Sequence, residues 1–134
     1  MASKLWLATS NGKKSTPSAA IKANLTIKAQ QLLDQVLTPR YVQATLPEHD
    51  FNYVAALYCK WRGNRFYFGA TYNCPSPNAI APSFDTKFAR MEHVSSDRYD
   101  LSYLRHTEQW FEIASNWTMD QCLKEIKENE TFTP

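Results

Sequence analysis

Three observations predict an α+β fold, an antiparallel sheet with two helices packed on one face. Two aromatic-rich segments, Phe51–Trp61 and Arg65–Tyr72, are separated by Gly63-Asn64 close to a strand end, a hairpin signal. Three further segments rich in strand-forming residues follow as a meander. Helical periodicity appears before the first hairpin and after the meander.

The chain opens with a short apolar run, Lys4–Ala8, where Trp6 and Leu7 are expected to add an edge strand. Residues 9–18 (TSNGKKSTPS) are polar and turn-rich and read as a loop. Ile21, Leu25, Ala29, Leu32 and Val36 then form a helical stripe. Thr16 is the expected N-cap, with Pro17 at the first helical position, and Pro39 is expected to stop the helix.

In the first hairpin a primed two-residue turn at Gly63-Asn64 sets the register. Trp61 then faces Phe66, Cys59 faces Phe68, Leu57 faces Ala70 and Ala55 faces Tyr72, all on one side of the sheet. The opposite side sets Arg62 against Arg65, Lys60 against Tyr67 and Tyr58 against Gly69. Residues 73–85 (NCPSPNAIAPSFD) hold three prolines and read as a long loop between the hairpin and the meander.

The meander is expected at Thr86–Val94, Tyr99–His106 and Trp110–Ile113, with turns at Ser95–Arg98 and Thr107-Glu108. Pairing Val94 with Tyr99 and His106 with Gln109 places Ala89, Met91, Leu104, Phe111 and Ile113 on the core face. The other face then collects Phe88, Arg90, Glu92, Tyr99, Leu101, Tyr103, Arg105, Trp110 and Glu112. The closing helix has a full start signal: Thr118 and Gln121 make a capping box, and Met119, Cys122, Leu123 and Ile126 make its apolar stripe.

Composition narrows the function classes. A length of 134 residues suits one domain, with 43% hydrophobic and 21% charged residues. A net charge of +2 is a weak argument for a nucleic-acid binder. The N-terminal apolar run is too short for a signal peptide and no stretch is long enough for a membrane span, so a cytoplasmic location is expected. Cys59, Cys74 and Cys122 lack the spacing of a disulfide framework or zinc site. No phosphate-cradling glycine loop, serine elbow or zinc signature occurs, so neither a cofactor nor a metal is expected, and no catalytic residue is assigned.

The candidate ligand-binding residues are Arg90, Glu92, Tyr103, Arg105, Trp110 and Glu112. Aromatic walls with a few convergent charges are a common way to build a ligand site. In this reading Arg90 and Arg105 fork onto a carboxylate or phosphate, while Tyr103 and Trp110 stack on a planar part. The alternative on the same residues is a solvated sheet face laced with cross-strand ion pairs. A second alternative, single-stranded nucleic-acid binding, rests on Lys60, Arg62, Arg65 and Tyr67 near the hairpin tip. There, like charges placed opposite each other call for an anion, and basic and aromatic residues interleave. A third is a small enzyme working through Glu92 and Glu112, against which nearby arginines would hold both carboxylates ionised.

Phe88-Ala-Arg-Met-Glu92, Tyr99-Asp-Leu-Ser-Tyr-Leu-Arg-His106 and Gln109-Trp-Phe-Glu112 carry a resemblance. An Ala-basic strand leads to an aromatic strand ending in arginine, then a turn and a tryptophan. This resembles a family of small bacterial proteins known as a domain of unknown function, arranged as helix, antiparallel meander and helix. The hairpin Phe51–Tyr72 and the proline loop lie outside the resemblance, which implies no activity. The expectation is therefore a soluble binding or interaction module, monomeric or homodimeric, whose partner is a small anionic ligand or an acidic protein.

Overall fold

A computed structural model describes residues 14–42 and 48–134. The expected strand at Lys4–Ala8, the edge role of Trp6 and Leu7, and residues 9–13 of the first loop lie outside the described residues. Five strands form one antiparallel sheet in chain order: β1 (Tyr53–Arg62), β2 (Arg65–Asn73), β3 (Ser83–Ser95), β4 (Arg98–Leu104) and β5 (Trp110–Trp117). Helix α1 (Ala19–Leu32) precedes the sheet and α3 (Met119–Glu128) follows it. Among the described residues no helix is long and apolar enough to cross a membrane.

Ser18, not Thr16, caps α1, its hydroxyl accepting from the Ile21 amide at 3.2 Å. Pro39 does not end the helical run. A π turn at Leu33–Leu37 leads into a last turn, α2 (Thr38–Tyr41), with Pro39 in its first positions. The Thr38 amide reaches back to the Leu33 carbonyl, five residues away. That wider turn lies just where proline removes a donor and crowds the preceding turn. The buried stripe is accordingly Leu25, Ala29, Leu33 and Leu37, with Leu32 and Val36 only packed against it. At the other end the capping box of α3 is complete: Gln121 N–H donates to the Thr118 hydroxyl and Thr118 N–H to the Gln121 side chain.

The helices and one sheet face enclose the core. Phe66, Phe68, Met91 and Leu101 from the sheet meet Leu25, Ala29, Leu33, Cys122 and Ile126 from the helices. Trp61 packs edge-on against Phe66, and its indole N–H donates to the Lys22 carbonyl, which ties β1 to α1. A short 3₁₀ turn after α3 (Glu130–Phe132) drops Phe132 onto Tyr103.

The first hairpin has the expected register from Arg62↔Arg65 to Leu57↔Ala70. Gly63 takes φ +64° and Asn64 stays out of the left-handed region, the form of a turn with glycine first. The register breaks at Ala55, an extra residue, so Val54 rather than Ala55 faces Tyr72. Proline excludes less of the sheet than expected: Ser83–Asp85 already belong to β3, and the Cys74 amide closes the shortened loop on the Pro82 carbonyl at 2.8 Å.

The meander departs from expectation by one residue in each hairpin. Ser95↔Arg98 sits at the expected tip, but Val94 bulges, and beyond it His93 pairs with Tyr99, Arg90 with Ser102 and Ala89 with Tyr103. In the second hairpin the loop has three residues, His106–Glu108, closed by Arg105 and Gln109 with Glu108 at φ +62°. Leu104 therefore pairs with Trp110, Tyr103 with Phe111 and Ser102 with Glu112. Because side chains alternate, each slip moves a strand's residues to the other face. Tyr99, Leu101 and Tyr103 belong to the core face, and Leu104 joins the outer one. The bulges also bend and twist the sheet.

Candidate functional site

The outer face can be read as rungs across the strands. One rung runs Lys60, Tyr67, Arg90, Ser102 and Glu112 from β1 to β5. The next holds Tyr58, Gly69 and Lys87, with Leu104 and Trp110 on the far side. An extra residue in β3, Phe88, turns inward and leaves Lys87 and Arg90 on the same outer face.

Three cations on this face are held by rings. The Arg90 guanidinium lies 4.7 Å from the Trp110 ring centroid, and Tyr67 reaches the same indole at 5.8 Å. Lys87 sits over Tyr67 and Lys60 over Tyr58, at 5.7 and 5.8 Å. Among the described residues, none of these three cations has a carboxylate within salt-bridge reach. The Arg90 Nε is buried and has no hydrogen-bond partner among the described residues. A cation–π contact of this kind uses none of the guanidinium N–H donors.

Gly69 completes this surface. A Cβ there would lie 2.3 Å from the Tyr58 ring, so the ring crosses the strand where a side chain would stand. Only glycine lets it lie so close to the backbone. Burial, with the charge of Asp85, raises the Tyr58 pKa above its ordinary value, so the phenol stays neutral at physiological pH.

The β3–β4 end of the same face is arranged differently. Lys14 Nζ lies 2.8 Å from Asp100 and 3.1 Å from Glu92, and Arg65 approaches Glu92 at 3.5 Å. Burial alone would push the Asp100 carboxyl up. The hydrogen bonds from Lys14, the Asn116 amide and the Ser115 hydroxyl, with the Lys14 charge, bring it below the usual range. His93 is buried beside this network, with Nδ1 and Nε2 each 2.8 Å from a carbonyl oxygen, of Ser15 and Ser96. A neutral ring donates to one of these and an imidazolium to both. These two carbonyls, rather than Asp100 across the hairpin, are its partners.

The residues singled out from sequence are thus divided. Arg90, Trp110 and Glu112 come together, and Tyr67 and Lys60, singled out for the nucleic-acid alternative, join them. Glu92 belongs to the ion-pair network, as does Arg65, whose place opposite Arg62 is relieved by this internal acid rather than by a ligand. Tyr103 faces inward onto Phe111 and Phe132. Arg105 stacks on Phe111 at the turn, beside a depression of about 460 Å³ shared with His106 and Phe84. Lys87, Tyr58 and Gly69 were not singled out. Their signal was present, because Tyr58 opposite Gly69 is an aromatic residue facing an empty strand position. Among the described residues no group of three or more His, Cys, Asp or Glu is placed to hold a metal.

No curated protein and no solved structure matches this chain. A family profile matches residues 17–134, taking in the hairpin and proline loop that the sequence resemblance left outside. With helix, antiparallel strands and helix all within that span, the chain belongs to the family described as Domain of unknown function (DUF3024).

Proposed function

We propose that this protein is a non-enzymatic binding module whose outer sheet face holds an anionic ligand between Lys60, Lys87 and Arg90. The observation that carries this reading is Arg90: a guanidinium over the Trp110 ring, with a buried Nε that has no partner and no carboxylate within salt-bridge distance among the described residues. Structural arginines are ordinarily satisfied by carboxylates or carbonyls. One held over a ring is oriented without spending its terminal N–H donors, which suit a phosphate or carboxylate. Lys60 and Lys87 add positive charge on the same face, also held by rings rather than by acids.

Titration calorimetry with inorganic tripolyphosphate tests the reading. Binding is expected to weaken at least tenfold in Arg90→Ala, while Arg105→Ala, altered at the distant turn, binds as the parent does. Binding that survives Arg90→Ala unchanged would refute this site.

A further inference from the structure

Resting on that reading, we infer that the anion is the backbone of a single-stranded nucleic acid, whose bases stack on Tyr58, Tyr67 and Trp110. Two features separate this ligand from a small anion. The first is extent. The ring-held cations and rings run from β1 to β5, four strand spacings or about 19 Å across the sheet. That is wider than one phosphate group or one mononucleotide needs. The second is alternation. Each cation lies over a ring of its own: Lys60 on Tyr58, Lys87 on Tyr67 and Arg90 on Trp110.

A single strand presents the same alternation, a charged phosphate and a flat base per unit, and single-strand binders combine a basic track with aromatic platforms. A simple polyanion has no use for the rings. A duplex hides its base faces in its own stack, and reading its grooves takes an element that enters them. Here Tyr58 lies low across Gly69, forming a platform rather than a probe.

Glu112 marks the β5 end of this track. It follows Ser102 on the Arg90 rung and is exposed. A negative charge there repels phosphate and favours a strand that ends, or turns away, at Trp110.

The test is fluorescence anisotropy with 5′-labelled twelve-nucleotide dT and rU strands and a duplex of equal length, alongside tripolyphosphate calorimetry. Single strands are expected to bind more tightly than the duplex. With about three phosphates neutralised, log K should fall by about two per tenfold rise in salt. Trp110→Ala should weaken single-strand binding about 5- to 150-fold, as loss of one stacked base does. Trp110→Phe should restore much of it, and thermal unfolding reports whether either variant is folded. In a folded Trp110→Ala protein, tripolyphosphate binding should change less than oligonucleotide binding.

Tripolyphosphate binding without single-strand binding, or single-strand binding indifferent to both Trp110→Ala and Tyr67→Ala, would overturn this inference and leave the anion-binding face standing. Binding of neither probe would remove both. A preference between dT and rU assigns the natural strand as DNA or RNA.

Discussion

At the β3–β4 end of the outer face, Asp100, Lys14, Glu92 and Arg65 form a chain of ion pairs. Nearer the middle, Lys60, Lys87 and Arg90 lie on aromatic rings with no acid within salt-bridge distance among the described residues. The two regions share a sheet face and side-chain chemistry, and they differ in what satisfies the charge. Where opposite charges meet and backbone amides join in, the side chains hold the chain together. Where rings alone orient the cations, the donors stay unused. The first arrangement makes structure and the second leaves a surface ready for something else.

The sharpest contrast comes from deleting one group in each region. Asp100→Ala leaves the Asn116 amide and Ser115 without their acceptor and Lys14 with Glu92 alone, and should cost about 2 kcal/mol, less than a fully buried pair because Lys14 is partly exposed. Arg90→Ala should change stability by under about 1 kcal/mol while abolishing anion binding. Urea unfolding of both variants measures the difference, and equal losses would erase the distinction.

Acid should reproduce part of the Asp100 effect. The folded-state pKa of Asp100 is depressed, so its contribution is present above the ordinary carboxylate pKa of about 4 and is lost as pH falls through the lower folded value. Asp100→Asn should flatten the decline in stability below pH 4. A parallel decline in variant and parent would place the acid sensitivity elsewhere.

A smaller effect is expected from Gly69→Ala, about 1 kcal/mol, because the added methyl displaces the Tyr58 ring from the strand. Its larger consequence should be on ligand binding, since the platform moves, and Tyr58 ring shifts in an NMR spectrum would report it. The smallest change should come from Lys28→Ala. Its pair with Asp120 at 3.1 Å is largely exposed, and denaturant midpoints should imply a loss below about 0.5 kcal/mol.

Much of this fold was legible in the sequence, and the failures share a cause. Gly63-Asn64 announced its turn, and the register it set held from Arg62↔Arg65 to Ala56↔Thr71. Thr118 and Gln121 announced the start of α3. The meander was misread because its devices leave no residue signal. Glu108 occupies a left-handed position usually given to glycine or asparagine, so a three-residue loop looked like a two-residue one. The carbonyl of the bulged Val94 accepts from Ser15, a partner far away in sequence that no local pattern announces. Each event shifted the pairing by one residue, which is why Tyr103 was expected beside Arg90 and lies on the opposite face. The candidate site was half legible: Arg90 and Trp110 were found and Tyr58 was placed opposite Gly69, but Lys87 depends on the β2–β3 register and its extra Phe88, which pattern alone could not supply.

The attachment of Ser15 has a consequence for how the chain reaches this structure. The Ser15 amide and hydroxyl donate to the Val94 carbonyl and Lys14 reaches Glu92, contacts that close loops of 78 and 79 residues. Their acceptors are in place only once the β3–β4 hairpin has formed with its bulge. Such contacts are made late on the route to the native state, so weakening them should leave the folding rate nearly unchanged and speed unfolding. The N-terminal segment then acts as a latch whose strength sets the lifetime of the folded molecule rather than the speed of its assembly.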